Sequence, residues 1–466
     1  MMNRFSRRNF LAGMAAAGAA SIGATEQRSD GAPSDSFSAD RTAPGLKELL
    51  SPAARKMAVE KLLAYFHQIA PQLLRPAQGI LRYPSVSPSL PGKAYSTQLW
   101  DWDTLWTSMG LFRLAHLTGD DKLRKKVGRH VQGSLLNFLE HQSEDGRIPI
   151  MIDVSNADPF GCLKKAAPNI HNQAKPVFGQ LALLVADQTG DAQWLAPQFE
   201  KLLHFYDSWE LGNQSKIGLL VWGDDVAIGD DNDPTTFGRP FFSSANMLLN
   251  SLYYQDLRAA AELARRLHRS RDYKRLTHQA DEQGRGMQKY CWDPRDRFYY
   301  TVDVQCKDRR AELLPGIPEG MLMSWHCLPL RIQMFTGFLP LWCSLATHKQ
   351  AADLVQLHYL NARTFHAAYG VRSLSKLETM YSLVRSSNPS NWLGPVWIIV
   401  NYFLWQGLKN YGYKREAANL ADKTLKLLAS DLAATGSLNE YYDPDTGAPL
   451  SHKGFVDWNM LVLEMV

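Results

Sequence analysis

The stretch SANMLLNSLYYQDLRAAAELARRL, residues 244–267, carries its apolar side chains at intervals of three and four positions. This spacing matches one face of an α-helix and differs from the alternation of a half-buried strand. The same spacing recurs at 56–69, 111–117, 123–139, 177–187, 194–209, 273–290, 339–355, 396–411 and 415–428. Strand-like alternation is confined to short pieces such as 298–304. The sequence therefore predicts a mainly α fold.

Loops of similar composition separate the predicted helices, and each is a polar turn next to aromatic residues. They are EDGRIP at 144–149, WDPRDRF at 292–298 and YDPDTG at 442–447. Repeated helical hairpins cannot each bury an apolar face alone, so they must stack on one another. An open superhelix and a closed toroid both satisfy this requirement. The long aromatic loops favour an all-α (α/α)6 barrel over 46–466, with six hairpins in a toroid and the loops over one face.

The N-terminal segment has the composition of an export signal. SRRNFL at 6–11 resembles the twin-arginine signal, and a short Ala- and Gly-rich run follows it at 10–22. That run is too short to span a bilayer, and small residues suited to a signal peptidase come next. We therefore expect a twin-arginine-type signal peptide at 1–30, a flexible linker at 31–45 and a periplasmic protein without a membrane anchor.

Composition excludes several classes of protein. The chain has 45% hydrophobic and 21% charged residues with a net charge of +5, which indicates a globular protein. It has no block of Lys and Arg interleaved with aromatics, so nucleic-acid binding is not expected. Its five cysteines lack CxxC spacing, which favours buried thiols over a zinc site or a disulfide framework. No phosphate loop, dinucleotide fingerprint or GxSxG elbow occurs in a suitable context, so no cofactor is predicted.

Two acidic segments, GDDNDP at 229–234 and Glu440 within NEYYD at 439–443, lie among aromatic and loop-forming residues. Cleavage of a glycosidic bond needs two carboxyl groups, one to protonate the leaving oxygen and one to activate water or attack carbon. Burial of crowded acids raises their pKa values, which keeps a general acid protonated near neutral pH. A solvated loop and an irregular calcium site are the alternatives. An EF-hand is excluded because Pro234 and a missing glycine break its pattern, and no metal site is predicted.

Three further segments could contact a ligand. WDWDTLW at 100–106 offers indole rings for a sugar face and carboxylates for its hydroxyls, although Asp103 could equally be a helix N-cap. NWLGPVW at 391–397 places Pro395 where a first helical turn would accept it, and it is more structural than catalytic when considered alone. HNQAKP at 171–176 could supply amides and a cation.

Taken in order, these segments resemble the trehalase-like α-glycosidases with an (α/α)6 barrel. The nearest resemblance is to glycoside hydrolase family 63 and, within it, to the bacterial mannosylglycerate and glucosylglycerate hydrolase branch. The matching pieces are WDWDT at 100–104, GDDNDP at 229–234, WLGPVW at 392–397, and EYY at 440–442 with DTG at 445–447. Two departures concern Leu393, where many relatives have Arg, and Ala174-Lys175-Pro176, where relatives have Gln-Pro-Pro.

The resemblance implies roles for individual residues. It places the general acid at Asp231 and the general base at Glu440, with inversion at the anomeric carbon and carboxyl groups about 6.5–9.5 Å apart. It also implies that Trp102 and Asp103 hold the sugar at the point of cleavage. The remaining substrate-binding candidates are Trp100, Gln173, Lys175, Arg239, Tyr381, Trp392, Gly394 and Trp397.

The expected function is hydrolysis of a small α-glucoside or α-mannoside, either a disaccharide or a sugar linked to glycerate. In the glycerate-releasing relatives a mobile loop near 373–390 closes over the substrate. Arg385 or Arg239 could pair with the glycerate carboxylate, although an ordinary loop is an equal interpretation of this segment. Trehalase activity and a sugar-binding barrel that has lost turnover remain alternatives, and the oligomeric state is left open.

Overall fold

α-Helices are the main regular elements of the computed structural model, which describes residues 50–163, 171–306, 325–385 and 390–466. In chain order they are α1 (Pro52–Ile69), α2 (Asp101–Thr118), α3 (Asp121–Glu140), α4 (Phe178–Thr189), α5 (Phe199–Asn213), α6 (Met247–Arg266), α7 (Ser270–Tyr290), α8 (Leu339–Trp342), α9 (His348–Asp353), α10 (Ile398–Asn410) and α11 (Lys414–Thr435). The mainly α prediction is confirmed. The predicted signal peptide and linker, 1–45, lie outside the described residues.

The β-strands are two or three residues long and pair antiparallel. The pairs are Leu74–Arg75 with Ser85–Val86, Gln98–Trp100 with Met151–Asp153, Trp292–Asp293 with Phe298–Tyr299, His366–Ala367 with Gly370–Val371, and Ser244–Ala245 with Val302–Asp303, which also pairs with Leu328–Pro329. Strands this short cannot form a core of their own. They join neighbouring loops to one another and to the ends of helices.

The prediction of one continuous helix at 339–355 is wrong, because two short helices lie there. The chain leaves α8 through Ser344, whose φ of 55° is left-handed, and α9 starts only at His348. Thr347 and Gln350 form a capping box that fixes this second start, and a π-helical turn, Leu354–Tyr359, follows. Apolar periodicity continues across the break, so it was invisible to a pattern of spacing alone.

One other helix boundary differs from the sequence-based expectation. The helix expected from 396 begins at Ile398, so Pro395 lies outside its first turn. The final helix, Asp457–Met465, has 3-10 geometry. Before each of these two helices the backbone bonds across loops: Val396 N–H donates to Tyr442 O, and Val456 N–H donates to Pro88 O.

Helices α2, α6 and α10 are buried around most of their circumference, whereas α7 and α11 keep an exposed face. A helix that is buried on all sides must lie between other elements. Asn246 starts α6 by accepting hydrogen bonds from the N–H groups of Leu248 and Leu249, at 2.8 and 3.2 Å.

The buried elements contact one another in a closed order. Helix α2 packs against α4, α4 against α6, and α6 against the adjoining 3-10 turn and short helix at 335–342. That segment packs against α10, α10 against Asp457–Met465, and Asp457–Met465 returns to α2. Helices α3, α7 and α11 pack behind α2, α6 and α10 respectively. This order is consistent with an α/α toroid.

Among the described residues, no helix combines the length and the apolar character needed to cross a bilayer.

Candidate active site

The GDDNDP loop is attached to the start of α6. The carboxylate of Asp233 accepts hydrogen bonds from the backbone N–H and hydroxyl of Thr235, at 2.7 and 2.8 Å, and from the amide of Asn246 at 2.9 Å. Asp230 and Asp233 are both fully buried. Burial and the neighbouring Asp233 hold the pKa of Asp230 well above its usual range, so the pair shares a proton. The loop therefore presents Asp231 on a rigid support.

Asn232 ties this loop to the WLGPVW segment. Its side-chain oxygen accepts a hydrogen bond from the backbone N–H of Trp392 at 2.7 Å, and its amide donates to Asn391 Oδ1 at 3.2 Å. Gly229 has a φ of 104°, and a Cβ there would lie 3.1 Å from the indole of Trp102. Three segments that are far apart in sequence therefore meet at one place.

Asp231 lies partly buried at this meeting point. Burial raises the pKa of its carboxyl from 3.8 to about 6, and the charge of Glu440 contributes in the same direction. The charge of Lys175 and a hydrogen bond from Ser390 oppose this rise. A carboxylic acid with a pKa near the working pH can both hold and release a proton, which suits a general acid.

Glu440 is held by its backbone and by its side chain. Its N–H donates to Ser451 O, and its carbonyl accepts from the indole N–H of Trp458, both at 3.1 Å. The carboxylate is almost fully buried, and its Oε2 lies 2.5 Å from Nδ1 of His452. The loop position expected from the sequence agrees with the structure, and the side chain faces inward.

Tyr95 shows that three carboxyl groups converge. Burial raises the pKa of its hydroxyl, and the charges of Glu440, Asp103 and Asp231 raise it further. Because all three act on one phenol oxygen, the structure brings these carboxyl groups to the same part of the molecule. Tyr95 also has a left-handed backbone, with φ of 67°, which is uncommon for a bulky residue.

Asp103 lies in the first turn of α2, and the N-cap position belongs to Trp100, so the N-cap interpretation of Asp103 is wrong. Burial, followed by the charge of Asp101, raises the pKa of Asp103 to about 7. Asp457 is a second buried carboxyl bonded to Asp103, and it accepts a hydrogen bond from Thr107 Oγ1 at 2.7 Å. Two buried carboxyl groups in contact hold at least one proton between them near neutral pH, because a second negative charge there would be repelled by the first.

Lys175 is buried close to these carboxyl groups. Its side chain is 2% exposed, and its ammonium group lies 3.1 Å from Asp101 Oδ1 and 2.9 Å from the carbonyl of Ala227. It also lies 5.5 Å from the centre of the Trp102 indole. These hydrogen bonds go to protein atoms, so Lys175 acts on the site through its charge.

The tryptophans form an enclosed stack. Trp392 and Trp397 are fully buried, with ring centroids 3.8 Å apart and planes at 5°. Trp102 is 4% exposed and packs edge-on against Trp458. A fully buried ring cannot lie against a sugar in this conformation, so Trp392 and Trp397 support the site from below. Trp100 is more exposed and donates its indole N–H to Gln98.

The other predicted ligand contacts are dispersed. Gln173 is 1% exposed and accepts a hydrogen bond from Ser208, which places it in the packed interior. Arg239 forms an ion pair with Asp303. The ring of Tyr381 covers Gly394, where a Cβ would lie 2.5 Å from the ring.

Three residues that the sequence did not single out lie within this site: Tyr95, His452 and Asp457. Tyr95 precedes the WDWDT motif by five residues, and His452 and Asp457 follow the DTG motif by five and ten, but none has a motif of its own. Their contacts join segments that are distant in sequence, and such contacts leave no local pattern.

Among the residues that the structure describes, no group of three or more His, Cys, Asp or Glu side chains could hold a metal ion. All five cysteines are present as free thiols.

Solved structures of other proteins share this fold. A GH63 mannosylglycerate hydrolase from Thermus thermophilus matches 88% of this chain and 98% of its own, with a TM-score of 0.59 and 20% identity. A neutral trehalase from Saccharomyces cerevisiae matches 82% of this chain and 74% of its own, with a TM-score of 0.58 and 16% identity. The fold is that of the GH63 and trehalase-like glycoside hydrolases.

The particular family follows from the sequence. The family model described as "Mannosylglycerate hydrolase MGH1-like glycoside hydrolase domain" matches residues 96–456. The chain belongs to this glycoside hydrolase family. The family resemblance inferred from the motifs is confirmed.

Individual relatives match over shorter lengths. A mannosylglycerate hydrolase from Thermus thermophilus is 30% identical over 141 residues, which are 29% of this chain and 31% of that protein. One from Rubrobacter radiotolerans is 26% identical over 210 residues, which are 44% of this chain and 40% of that protein. Mannosylglycerate hydrolase MGH1 from Selaginella moellendorffii is 32% identical over 111 residues, 24% of this chain and 20% of that protein. The matched regions thus span less than half of each relative.

Proposed function

We propose that the protein is an inverting α-glycosidase in which Asp231 is the general acid and Glu440 is the general base. The observation that carries this proposal is the convergence of a partly buried Asp231 and a buried Glu440 on the hydroxyl of Tyr95, where burial also raises the pKa of Asp231. An acid of this kind and a nearby carboxylate are the two groups that inversion requires.

The reaction is a single displacement. Asp231 donates its proton to the glycosidic oxygen as the bond from that oxygen to the anomeric carbon breaks. Glu440 accepts a proton from a water molecule whose oxygen forms the new bond on the opposite face of the sugar. Exchange with solvent restores the proton of Asp231 and removes that of Glu440. The inward position of Glu440 supports this role, because a base exposed to bulk solvent could not select one water molecule.

The substrate is a small α-glucoside or α-mannoside. The Asp103–Asp457 pair holds at least one proton and can both accept and donate hydrogen bonds, which suits sugar hydroxyls. A sugar joined to glycerate fits the names of the relatives, and one Thermus thermophilus hydrolase structure is a complex with Tris and D-glycerate. Arg385 is our choice to bind such a carboxylate, because Arg239 is already paired with Asp303. The charge of Arg385 acts on His452, beside Glu440.

The architecture proposed with this function is an (α/α)6 barrel in which the closed order of buried helices forms the inner ring. The loops that carry Asp231 and Glu440 then open on one face of that ring. Export through the twin-arginine route, directed by a signal peptide at 1–30, would place the enzyme in the periplasm.

Trehalase is the second candidate, because the yeast neutral trehalase shares the fold. Purified protein should be screened with trehalose, kojibiose, nigerose, glucosylglycerate and mannosylglycerate, and proton NMR should identify the first anomer released. We expect turnover of a glycosylglycerate with inversion. Turnover of trehalose alone would select the second candidate, and binding without hydrolysis would indicate a sugar-binding barrel.

The two carboxyl roles are tested by Asp231→Asn and Glu440→Gln, each of which should lower kcat by about 10³-fold or more. Asp225→Asn is the matched control, because Asp225 belongs to the same acidic segment but bonds to the backbone of Gly238. A near-normal rate in either of the first two variants would remove that residue from the mechanism.

A further inference from the structure

His452 lies in the loop between Glu440 and the final 3-10 helix, and its imidazole touches the carboxylate of Glu440. Nδ1 is 2.5 Å from Glu440 Oε2. About a quarter of the histidine side chain is exposed, whereas that of Glu440 is 5% exposed. The imidazole therefore lies between the buried carboxylate and solvent.

The backbone of Glu440 is already fixed on both sides of the residue. Its N–H is bonded to Ser451 and its carbonyl to the Trp458 indole. What these bonds leave undetermined is the rotation of the side chain and of the carboxylate plane. A single strong donor to one carboxylate oxygen removes that freedom, and the imidazole N–H of His452 is placed to be that donor.

His452 is itself held in position at a conformational cost. Its ring meets the Tyr95 ring edge-on at 5.5 Å, and Nδ1 also lies 3.1 Å from Ser451 Oγ. Its backbone is left-handed, with φ of 29°, a conformation that residues other than glycine rarely adopt. Strain of this kind persists only where the surrounding structure over-determines it.

We propose that His452 is a positioning residue for the general base, in which Nδ1–H donates to Oε2 of Glu440 and leaves Oε1 to accept the proton of the attacking water. This inference rests on the proposed function. In this arrangement Oε2 of Glu440 is held by the imidazole, and Oε1 is the oxygen that reacts. The proton on Nδ1 is not transferred during the reaction.

The charged and titratable groups that act on His452 are Glu440 and Arg385, with the phenol of Tyr95 packed against its ring. The hydrogen bond to Glu440 raises the pKa of the imidazole, and the charge of Arg385 opposes this rise. With a carboxylate as its partner, Nδ1 keeps its hydrogen in both the neutral and the protonated imidazole. The contact therefore survives titration of the ring.

Two substitutions at this position separate the side chain from the backbone. His452→Gly accepts the left-handed conformation but removes the donor, whereas His452→Asn tolerates that conformation and keeps an N–H close to the place of Nδ1. We expect His452→Gly to lower kcat by about 100-fold with less than about a threefold change in KM. His452→Asn should recover kcat to within about tenfold of the wild type.

The matched control is His268→Gly. His268 also has a left-handed backbone, with φ of 58°, but it lies in the turn between α6 and α7, away from the carboxyl groups. Its replacement should leave kcat and KM unchanged. Equal activity of His452→Gly and His452→Asn, with an active wild type, would overturn the positioning role alone. A wild type that hydrolyses no glycoside would overturn the proposed function and this inference with it.

A second measurement does not depend on turnover. Histidine NMR titration of the full protein should show that the pKa of His452 falls towards its ordinary value in Glu440→Gln, because the carboxylate that raises it has been neutralised. An unchanged pKa would show that the two side chains do not interact in solution, and would also overturn the inference.

Discussion

The ammonium group of Lys175 lies 3.1 Å from the carboxylate of Asp101, and the two side chains are only 2% and 0% exposed. This buried ion pair lies next to the site. Among the described residues, its lysine is the main internal source of positive charge there. Its field lowers the pKa values of Asp101, Asp103 and Asp231 against the effect of burial. Lys175 therefore keeps several crowded carboxyl groups compatible with a folded protein.

Lys175→Met should lower the free energy of unfolding by about 3–5 kcal/mol, because it leaves the Asp101 carboxylate buried without its partner. Urea denaturation at pH 7 measures this change. Adding Asp101→Asn to the variant should recover a large part of the loss, since the remaining amide carries no charge. If the double variant is no more stable than Lys175→Met, the loss comes from packing.

Asp231→Asn should make the protein more stable at high pH while it abolishes activity. The pKa of Asp231 rises from 3.8 to about 6 on folding, so the folded state binds this proton more tightly. Stability from this group is present at low pH and is lost as the pH rises from about 4 through 6. The variant should gain about 2–3 kcal/mol over the wild type at pH 8 and nothing from this source below pH 4. Denaturant titrations at both pH values test this, and an equal difference at both would contradict it.

The basic limb of kcat/KM should lie near pH 6 in the wild type, because only the protonated form of Asp231 can donate to the leaving oxygen. A pH–rate profile on any substrate that is turned over gives this value. Activity that stays constant from pH 6 to 9 would assign the general acid to another residue.

Gly394→Ala should destabilise the protein and disturb the position of Tyr381. The glycine has a φ of 141°, and an added Cβ would lie 2.5 Å from the Tyr381 ring. The backbone strain alone costs about 1–3 kcal/mol. Thermal unfolding of Gly394→Ala and of Gly394→Ala combined with Tyr381→Ala separates the two effects. Only the steric part should be relieved in the double variant.

Asn232→Ala should uncouple the loop of Asp231 from the WLGPVW segment. It removes the acceptor of the Trp392 N–H, and an unsatisfied buried donor costs about 1–3 kcal/mol. Displacement of the loop should also lower kcat by about 10–100-fold. An unchanged kcat in Asn232→Ala would show that this hydrogen bond does not position Asp231.

The sequence was sufficient to predict the helical class and the positions of the two acidic loops. Helical periodicity is a local property, so stretches such as 244–267 were located to within a few residues of their true ends. The acidic loops were recognisable because the residue types needed for general acid–base chemistry are few. Asp231 and Glu440 remain predictions as catalytic residues until the variants above are measured.

Contacts made across the molecule were beyond the reach of the sequence. Tyr95, His452 and Asp457 acquire their significance from neighbours that are far away along the chain. The tryptophans of WLGPVW were expected against a sugar, yet Trp392 and Trp397 lie fully buried in a stack. An indole ring favours flat apolar surfaces of any kind. In the folded protein the surface that each of these two rings contacts is the other indole.

The packing of α2 against the final 3-10 helix has a consequence for folding during synthesis. Thr107 and Asp457 are 350 positions apart and are joined by a buried hydrogen bond. A nascent chain emerging from the ribosome cannot form this hydrogen bond until residue 457 has been synthesised, and contacts of such long range slow folding. The apolar side chains of α2 that pack against Asp457–Met465 therefore stay exposed until that segment is made. We expect chaperones to assist folding during this interval.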